Sequence, residues 1–343
     1  MKKVLIPTNL DPVAAETLRA TGRYAVVQDG STPPADLART HADAYALIVR
    51  SEPVTAELLD LLPQLKVVVR AGAGYDTIDI RQARKRGVDV MNTPGANANA
   101  VAEEVIALIL ADARFIIPAD LSTRAGGWEK KSFLGRELAG KTVGIVGLGN
   151  VGRLVARRLK GFECRLLGYD PLVPSERVRE LGIEPVALED LFSESDIVTL
   201  HIPETDTTRR MIGTRLLELL KPGATLVNCA RAGIIDEDAL RAVKQRKGLR
   251  FLTDVYPRDA PGPKSVADIA DIMMPHLGAN TREANYNAAR RAAEQLIDLD
   301  ERGITAYIVN RDIPEGLDKA YCDLAFVLAR LTRASPARPR RSR

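Results

Sequence analysis

The sequence predicts an α/β protein built from two doubly wound, parallel-sheet domains. Short apolar runs of strand length alternate with segments of helical spacing along almost the whole chain. Repeating strand–helix units of this kind form parallel sheets whose two faces are covered by helices. The chain has 343 residues, more than a single hydrophobic core usually supports, and this favours two domains.

Individual elements follow from the same pattern. The predicted strands are Val4–Ile6, Tyr24–Val27, Ala46–Val49, Lys66–Val69, Val143–Val146, Ile197–Leu200, Thr225–Asn228, Arg250–Asp254 and Ile272–Met274. The predicted helices include Pro12–Ala20, Thr55–Leu61, Ile78–Lys85, Val151–Leu159 and Arg282–Glu301. A long helix is expected from about Asn99 to Ile117, capped by an asparagine at its start. The segment Leu121–Leu138 has little regular pattern.

The most specific motif is a glycine-rich loop between a strand and a helix. Gly147, Gly149 and Gly152 follow an apolar strand, and the next strand ends in Asp170, 18 residues after Gly152. This is the Rossmann unit that binds dinucleotides, in which the glycines allow a tight turn and close approach of a pyrophosphate. The following helix N-terminus favours phosphate. Because Asp170 can accept hydrogen bonds from a ribose and would repel a 2′-phosphate, the predicted cofactor is NAD.

The position of this motif predicts how the domains are arranged along the chain. About 98 residues of α/β sequence precede the cofactor unit, and a helical segment follows the last strand. We therefore expect a discontinuous substrate domain formed by residues 1–98 and 280–330, with a Rossmann domain of residues 99–279 inserted. Residues 331–343 are rich in proline and arginine and are predicted to be a disordered basic tail.

Composition excludes several functional classes. The net charge is +4, but residues 331–343 alone contain five arginines. The remaining chain is therefore nearly neutral, and no nucleic acid is expected as a partner. The longest apolar stretch is interrupted by charges, which argues against a membrane span, and the N-terminus does not resemble a signal peptide. The cytoplasm is therefore the expected location. The three cysteines lack metal-ligand spacing, so no metal is expected.

Three strand ends carry residues suited to acid/base chemistry. Arg231, Asp259 and His276 each follow a predicted strand, where an arginine can clamp a carboxylate and a histidine can transfer a proton. Together they predict a site for a 2-hydroxy acid or 2-oxo acid. His201 also ends a strand, and it is predicted either to pack or to lie beside the cofactor.

Several segments together resemble the NAD-dependent D-isomer-specific 2-hydroxyacid dehydrogenase family, especially its phosphoglycerate branch. The resemblance runs from about residue 45 to 300. The segments that carry it are Leu47–Ser51, Val67–Gly74, Asn92–Asn97, Gly127–Gly135, Asn228–Leu240 and Pro275–Ala279. It implies a flavodoxin-like substrate domain, direct hydride transfer with NAD, and a homodimer in which Leu121–Leu138 reaches the neighbouring subunit.

The resemblance also implies a role for individual positions. His276 matches the acid/base, Asp259 stands where the family has a glutamate paired with it, and Arg231 matches the substrate clamp. Implied cofactor contacts are Gly147, Gly149, Asn150, Val151, Gly152, Asp170, His201, Pro203, Cys229, Ala230, Asp254, Gly278 and Ala279. Implied substrate contacts are Arg50, Ser51, Arg70, Gly72, Ala73, Gly74, Asn97 and Lys130.

Departures from the family pattern leave the substrate open. Asp259 is shorter than glutamate by one methylene, so either its loop lies closer to His276 or a water bridges the two. Ala73 and Tyr75 alter the substrate loop. The cations favour 3-phosphoglycerate or a similar anionic acid, and with it a role in serine biosynthesis. The alternatives are an enzyme for a non-phosphorylated acid and an NAD-binding, corepressor-like scaffold. A formate dehydrogenase-like enzyme is disfavoured, because that branch has an amide at the position of Asp259.

Overall fold

The computed structural model describes residues 1–311 and contains two compact units. Among the described residues, one unit comprises Met1–Thr93 and the chain from Ala289 to Arg311, and the other comprises Pro94–Ala288. The second unit is thus inserted into the first along the chain. The domain limits expected from the sequence, at residues 98/99 and 279/280, stay a prediction. The predicted basic tail, residues 331–343, lies outside the described residues.

A five-stranded parallel sheet forms the centre of the first unit. Its strands are β1 (Lys2–Ile6), β2 (Tyr24–Gln28), β3 (Ala46–Val49), β4 (Val67–Arg70) and β5 (Asp89–Asn92). Their order is β2-β1-β3-β4-β5, which is the flavodoxin-like arrangement. The accompanying helices are α1 (Val13–Ala20), α2 (Pro34–Thr40), α3 (Ala56–Asp60) and α4 (Ile80–Lys85). Every residue of β3 is buried, as expected for a strand covered on both faces.

A seven-stranded parallel sheet forms the second unit. Its strands are β6 (Thr142–Val146), β7 (Arg165–Tyr169), β8 (Glu184–Pro185), β9 (Ile197–Leu200), β10 (Thr225–Asn228), β11 (Arg250–Thr253) and β12 (Ile272–Met273). The order β12-β11-β10-β9-β6-β7-β8 is that of a dinucleotide-binding sheet with one further strand. Strand order reverses between β6 and β9, and ligands of such sheets bind outside the carboxyl ends of the strands at this point.

The helices of the second unit cover both faces of its sheet. They are α5 (Ala98–Ala113), α6 (Ile116–Arg124), α7 (Asn150–Leu159), α8 (Ser175–Glu180), α9 (Leu188–Glu194), α10 (Thr214–Leu217) and α11 (Glu237–Lys247). The last helix, α12 (Arg282–Arg302), begins in this unit and ends in the first. The two-domain α/β class predicted from the sequence is therefore confirmed. No helix within residues 1–311 combines the length and apolar character needed to cross a bilayer.

The long helix predicted up to Ile117 is wrong at its C-terminal end. Helix α5 stops at Ala113, and Phe115 adopts a left-handed backbone with φ of +52° before α6 begins. The carbonyl oxygen of Ala113 instead accepts a hydrogen bond from the backbone N–H of Arg136 at 2.9 Å. A contact with a residue so far along the chain leaves no periodic signal in the helix itself.

Two local predictions next to this helix are also corrected. Asn97 stands at the start of α5, but its side chain makes no capping hydrogen bond. The predicted irregular stretch Leu121–Leu138 is helical as far as Arg124, and Lys130–Phe133 forms a 3₁₀ turn. An asparagine therefore occupies the N-cap position as predicted but does not cap the helix by a hydrogen bond, and the irregular stretch is shorter than predicted.

Candidate active site

The three glycines of the loop between β6 and α7 differ in what a side chain at each position would meet. Gly147 has φ of +93°, and a Cβ built on it would lie 2.7 Å from the carbonyl oxygen of His201. A Cβ on Gly152 would overlap the carbonyl oxygen of Gly147. A Cβ on Gly149 would meet no atom within 4 Å. Gly147 and Gly152 are thus required by the fold. Gly149 instead leaves open space at the N-terminus of α7, where a pyrophosphate fits.

Asp170 is fixed beside this loop by two backbone amides. Its Oδ2 accepts a hydrogen bond from Leu148 N at 2.8 Å, and its Oδ1 accepts one from Leu172 N at 2.9 Å. A carboxylate oxygen has a second lone pair, so each oxygen can still accept from a hydroxyl. The half-buried carboxylate therefore has the chemistry needed to hold a ribose next to the glycine loop.

The end of β9 contributes a neutral imidazole to the same edge of the sheet. The His201 backbone N–H donates to Val146 O at 2.7 Å, and its Nε2 lies 3.0 Å from Thr199 Oγ1. Desolvation lowers the pKa of His201 to about 3, so the ring is uncharged at neutral pH. The neighbouring Pro203 is exposed, and its carbonyl accepts from the Thr208 hydroxyl at 2.6 Å.

The loop after β10 is shaped by the side chain of Asn228. Its Oδ1 accepts from Ala230 N at 3.1 Å, and its Nδ2 donates to Arg231 O at 2.9 Å. The loop is therefore held on both sides of Ala230. Arg231 is half-buried, and its Nη1 donates to the carbonyl of Ala230 at 2.7 Å.

The register of the sheet brings three strand ends to one edge. Asn228 pairs with Thr253, and Thr253 pairs with Met273. The segments that begin at Cys229, Asp254 and Met274 consequently leave the sheet side by side. Asp254 is only 1% exposed, and its Oδ2 accepts from Gly278 N at 3.1 Å.

A buried acidic cluster lies under the turn that contains Gly278. One carboxylate oxygen each of Glu104 and Asp254 and the Sγ of Cys229 lie within 4.8 Å of one another. Within residues 1–311, both oxygens of Glu104 and the Oδ1 of Asp254 are buried without a well-formed hydrogen bond. Desolvation and the nearby charge of Asp254 raise the pKa of Glu104 to about 8. A proton shared by the two carboxyls joins one oxygen of each and leaves the pair with one negative charge.

His276 and Asp259 form a hydrogen-bonded pair. The Nδ1 of His276 lies 2.5 Å from the Oδ2 of Asp259, so the aspartate reaches the ring directly despite its short side chain. The side chains are 44% and 52% exposed, respectively. The carboxylate accepts from Nδ1–H, which leaves Nε2 as the nitrogen that can exchange a proton with a bound molecule.

The expected substrate contacts of the first unit surround a single loop. The Nη1 of Arg50 donates to Ala71 O at 3.0 Å, and burial lowers the pKa of Arg50. The guanidinium of Arg70 lies over Gly72, since a Cβ on that glycine would overlap it. Asn92 Nδ2 donates to Ala73 O at 2.6 Å.

Two further expected contacts of this unit are accessible to solvent. Ser51, which follows β3, is exposed, and its backbone N–H donates to Glu52 at 3.0 Å. Gly74 is half-exposed in the same loop as Gly72.

The remaining two expected substrate contacts belong to the second unit. Asn97 immediately precedes α5, and the same segment contains Gly95, whose added Cβ would lie 3.3 Å from the side chain of Asn150. Lys130 is exposed, and its ammonium lies 5.7 Å from the ring centroid of Trp128. Gly95, two residues before Asn97, is therefore beside the glycine loop, whereas Lys130 is engaged with a surface aromatic.

Sequence reasoning missed Glu104 and Lys264. Glu104 is one of several acids on a long helix, and nothing in its spacing distinguishes it. Lys264 donates to the carbonyls of Arg258 and Ala260, which flank Asp259. Backbone acceptors carry no side-chain signature, so only the folded structure reveals this contact.

The glycine loop, Asp170 and the Rossmann strand order define the second unit as an NAD-binding domain of a dehydrogenase. The model of the D-isomer specific 2-hydroxyacid dehydrogenase NAD binding domain matches residues 106–278. The chain belongs to the D-isomer specific 2-hydroxyacid dehydrogenase family, and its cofactor is NAD.

Three similar proteins indicate the range of the family. The chain is 40% identical over 301 residues to D-3-phosphoglycerate dehydrogenase of Archaeoglobus fulgidus, covering 87% of this chain and 57% of that protein. The NAD⁺-bound 3-phosphoglycerate dehydrogenase of Entamoeba histolytica is 31% identical, with a TM-score of 0.75 and coverage of 91% and 99%. D-lactate dehydrogenase of Escherichia coli is 25% identical, with a TM-score of 0.74 and coverage of 90% and 99%. The chain spans about three fifths of the length of the curated relatives it matches.

Proposed function

We propose that this protein is an NAD-dependent oxidoreductase that interconverts a D-2-hydroxy acid and the corresponding 2-oxo acid. The observation that carries the proposal is the direct hydrogen bond between His276 and Asp259, next to an arginine-bearing strand end of an NAD-binding domain. When bound, NAD supplies the hydride acceptor. The groups that would hold it are the open space at Gly149, the N-terminus of α7 and the carboxylate of Asp170.

The side chains divide the remaining work between them. His276 Nε2 takes the hydroxyl proton during oxidation and returns it during reduction. Asp259 keeps the Nδ1–H tautomer and stabilises the imidazolium that forms. Arg231 holds the substrate carboxylate in two charge-assisted hydrogen bonds, so that one face of C2 is presented.

The dyad is tested by NADH oxidation with a panel of 2-oxo acids. We expect His276→Asn to lower kcat by about 10²- to 10⁴-fold, which is the usual contribution of a general acid/base. NAD binding should stay unchanged in this variant when measured by calorimetry. A His276→Asn enzyme with full activity on every acid of the panel would refute the assignment.

For the substrate, we propose 3-phosphoglycerate or a similar anionic acid, and therefore a step of serine biosynthesis. Arg50 and Arg70 support this, because each stands at the end of an apolar strand and both guanidiniums lie at the loop of residues 71–74. Arg231 accounts for one carboxylate, so further cations favour a second anionic group. We expect this substrate to exceed lactate or glycerate in kcat/KM by at least about tenfold, or about 1.4 kcal/mol.

The substrate assignment is tested with Arg50→Ala and a matched control, Arg39→Ala. Arg39 is an exposed cation of the same unit, paired with Asp36. The Arg50 variant should lose most of the preference for the phosphorylated acid and keep its activity on small acids, while the control should change neither. Preference of the wild type for an uncharged side chain supports the alternative, an enzyme for a non-phosphorylated acid. Equal loss on all acids assigns Arg50 to the support of the loop through Ala71.

For assembly, we propose a cytoplasmic homodimer formed through Leu121–Leu138 together with the start of α6. This segment exposes several large apolar side chains, namely Ile116, Ile117, Leu121, Trp128 (78%) and Leu134 (85%). So many exposed large apolar side chains within residues 116–134 favour a protein–protein interface. Light scattering at micromolar concentration should give twice the chain mass, and Trp128→Glu should give a monomer. A wild-type monomer would refute the proposal.

The alternative of an NAD-binding, corepressor-like scaffold predicts NAD binding without turnover of any acid.

A further inference from the structure

The loop that carries Asp259 has little support of its own. It runs from Pro257 to Pro263 between β11 and β12, outside any helix or strand, and Asp259 is half-exposed within it. Gly262 has φ of +117°, a conformation that favours glycine. A side chain at the tip of such a loop keeps a fixed distance to a partner only if the loop backbone is held from elsewhere.

Lys264 holds this backbone. Its ammonium donates a hydrogen bond to the carbonyl of Arg258 at 3.0 Å and another to the carbonyl of Ala260. These two residues flank Asp259, so a single ammonium closes the loop around the aspartate. Hydrogen bonds from a charged donor are stronger than neutral ones.

The same ammonium is also connected to the turn that carries His276. It lies 5.1 Å from the ring centroid of Tyr256, within the range of a cation–π contact. The Tyr256 hydroxyl donates to the carbonyl of Met274 at 2.8 Å, and that carbonyl also accepts the backbone N–H of His276 at 3.0 Å. Lys264 is thereby linked to both members of the pair.

We infer that Lys264 is a positioning residue, which holds Asp259 in hydrogen-bonding contact with His276 through the backbone of the loop. The inference rests on the proposed function for its kinetic consequence. Its structural consequence, the tautomer of His276, is independent of activity. Without Lys264 the loop moves away, the imidazole loses its acceptor, and the neutral ring populates the Nε2–H form.

The test compares Lys264→Met with Lys264→Arg and Lys247→Met. Arginine can donate to both carbonyls and should rescue function. Lys247 is a matched control, because its ammonium also binds two backbone carbonyls, those of Glu218 and Leu220, in the same unit. We expect Lys264→Met to lower kcat by about 10- to 100-fold, the effect of a small misplacement of a reacting group. Substrate KM and NAD affinity should stay within about twofold, since none of the expected cofactor or substrate contacts lies in this loop.

The second readout is the ¹⁵N spectrum of the imidazoles, which reports the tautomer directly. The chain has only three histidines, so assignment by substitution is simple. In the wild type and Lys264→Arg, neutral His276 should be in the Nδ1–H form, and in Lys264→Met it should shift towards Nε2–H. If Lys264→Met does not fold, Lys264→Ala replaces it in both measurements.

Each outcome decides the inference. An unchanged tautomer, or a kcat loss no greater than that of Lys247→Met, overturns it. If the wild type turns over no acid, the proposed function fails, and the tautomer still decides the role of Lys264.

Discussion

Alanine at Gly149 and at Gly152 should separate what the cofactor requires from what the fold requires. Gly149 has φ of −74°, which alanine adopts freely, and its added Cβ would meet no protein atom. The Cβ of Gly152 would instead overlap the carbonyl oxygen of Gly147, which is backbone and cannot rotate away. One substitution therefore fills ligand space, and the other overpacks the protein.

The expected magnitudes follow from the cost of overpacking, about 1–3 kcal/mol. For Gly149→Ala this cost falls on NAD binding, which should weaken by about 5- to 150-fold in calorimetry. Its urea midpoint without cofactor should be close to that of the wild type. Gly152→Ala should lower the free energy of unfolding of the ligand-free protein by at least about 1–3 kcal/mol. Wild-type NAD affinity in Gly149→Ala, or equal destabilisation by both changes, would refute the steric argument.

Three further predictions concern acidic side chains. Catalytic efficiency with NAD should exceed that with NADP because the Asp170 carboxylate beside the glycine loop would repel a 2′-phosphate, and equal efficiencies would contradict this. As the pH rises, Glu104 keeps its proton in the folded protein after the unfolded chain has lost it, because folding raises its pKa to about 8. Stability should therefore fall between about pH 5 and about pH 8, by less than the one-proton slope of about 1.4 kcal/mol per unit because solvent partly screens the group. Urea unfolding of Glu104→Gln should lack this slope, and an identical slope in both proteins would exclude the buried proton. Asp300 is 7% exposed, binds the ammonium of Lys2, and accepts the hydroxyls of Tyr24 and Tyr45 at 2.7 and 2.5 Å. Asp300→Asn should cost about 2–4 kcal/mol and Tyr45→Phe about 1 kcal/mol in urea unfolding, and near-equal losses would argue against a charge-based role.

Features encoded locally were predictable from the sequence. The glycine loop and Asp170 lie within one βαβ unit, so their spacing alone specifies the unit and its ligand. Strands Ile197–Leu200 and Thr225–Asn228 have the predicted bounds, because each is a short apolar run that is buried on both faces. Parallel strands then bring the residues after them to one edge, which places Asp254 and Met274 next to each other without further information.

Features that depend on distant contacts were not predictable. Helix α5 ends where the backbone N–H of Arg136 donates to the carbonyl of Ala113, and only tertiary structure provides that partner. The carboxyls of Glu104 and Asp254 meet although 150 positions separate them in the chain. The sequence left two geometries open for Asp259, and the direct contact depends on a loop whose anchor, Lys264, donates its hydrogen bonds to backbone carbonyls.

The backbone of His276 has a consequence for how the protein can change in evolution. With φ of +53°, the residue occupies a left-handed conformation that glycine and asparagine adopt more easily than most side chains. Replacement by glycine would therefore relieve backbone strain on the order of 1 kcal/mol while removing the imidazole. Selection for stability alone would not preserve this histidine. A descendant that keeps the fold and the NAD-binding domain, but lacks the imidazole, is thus only one substitution away.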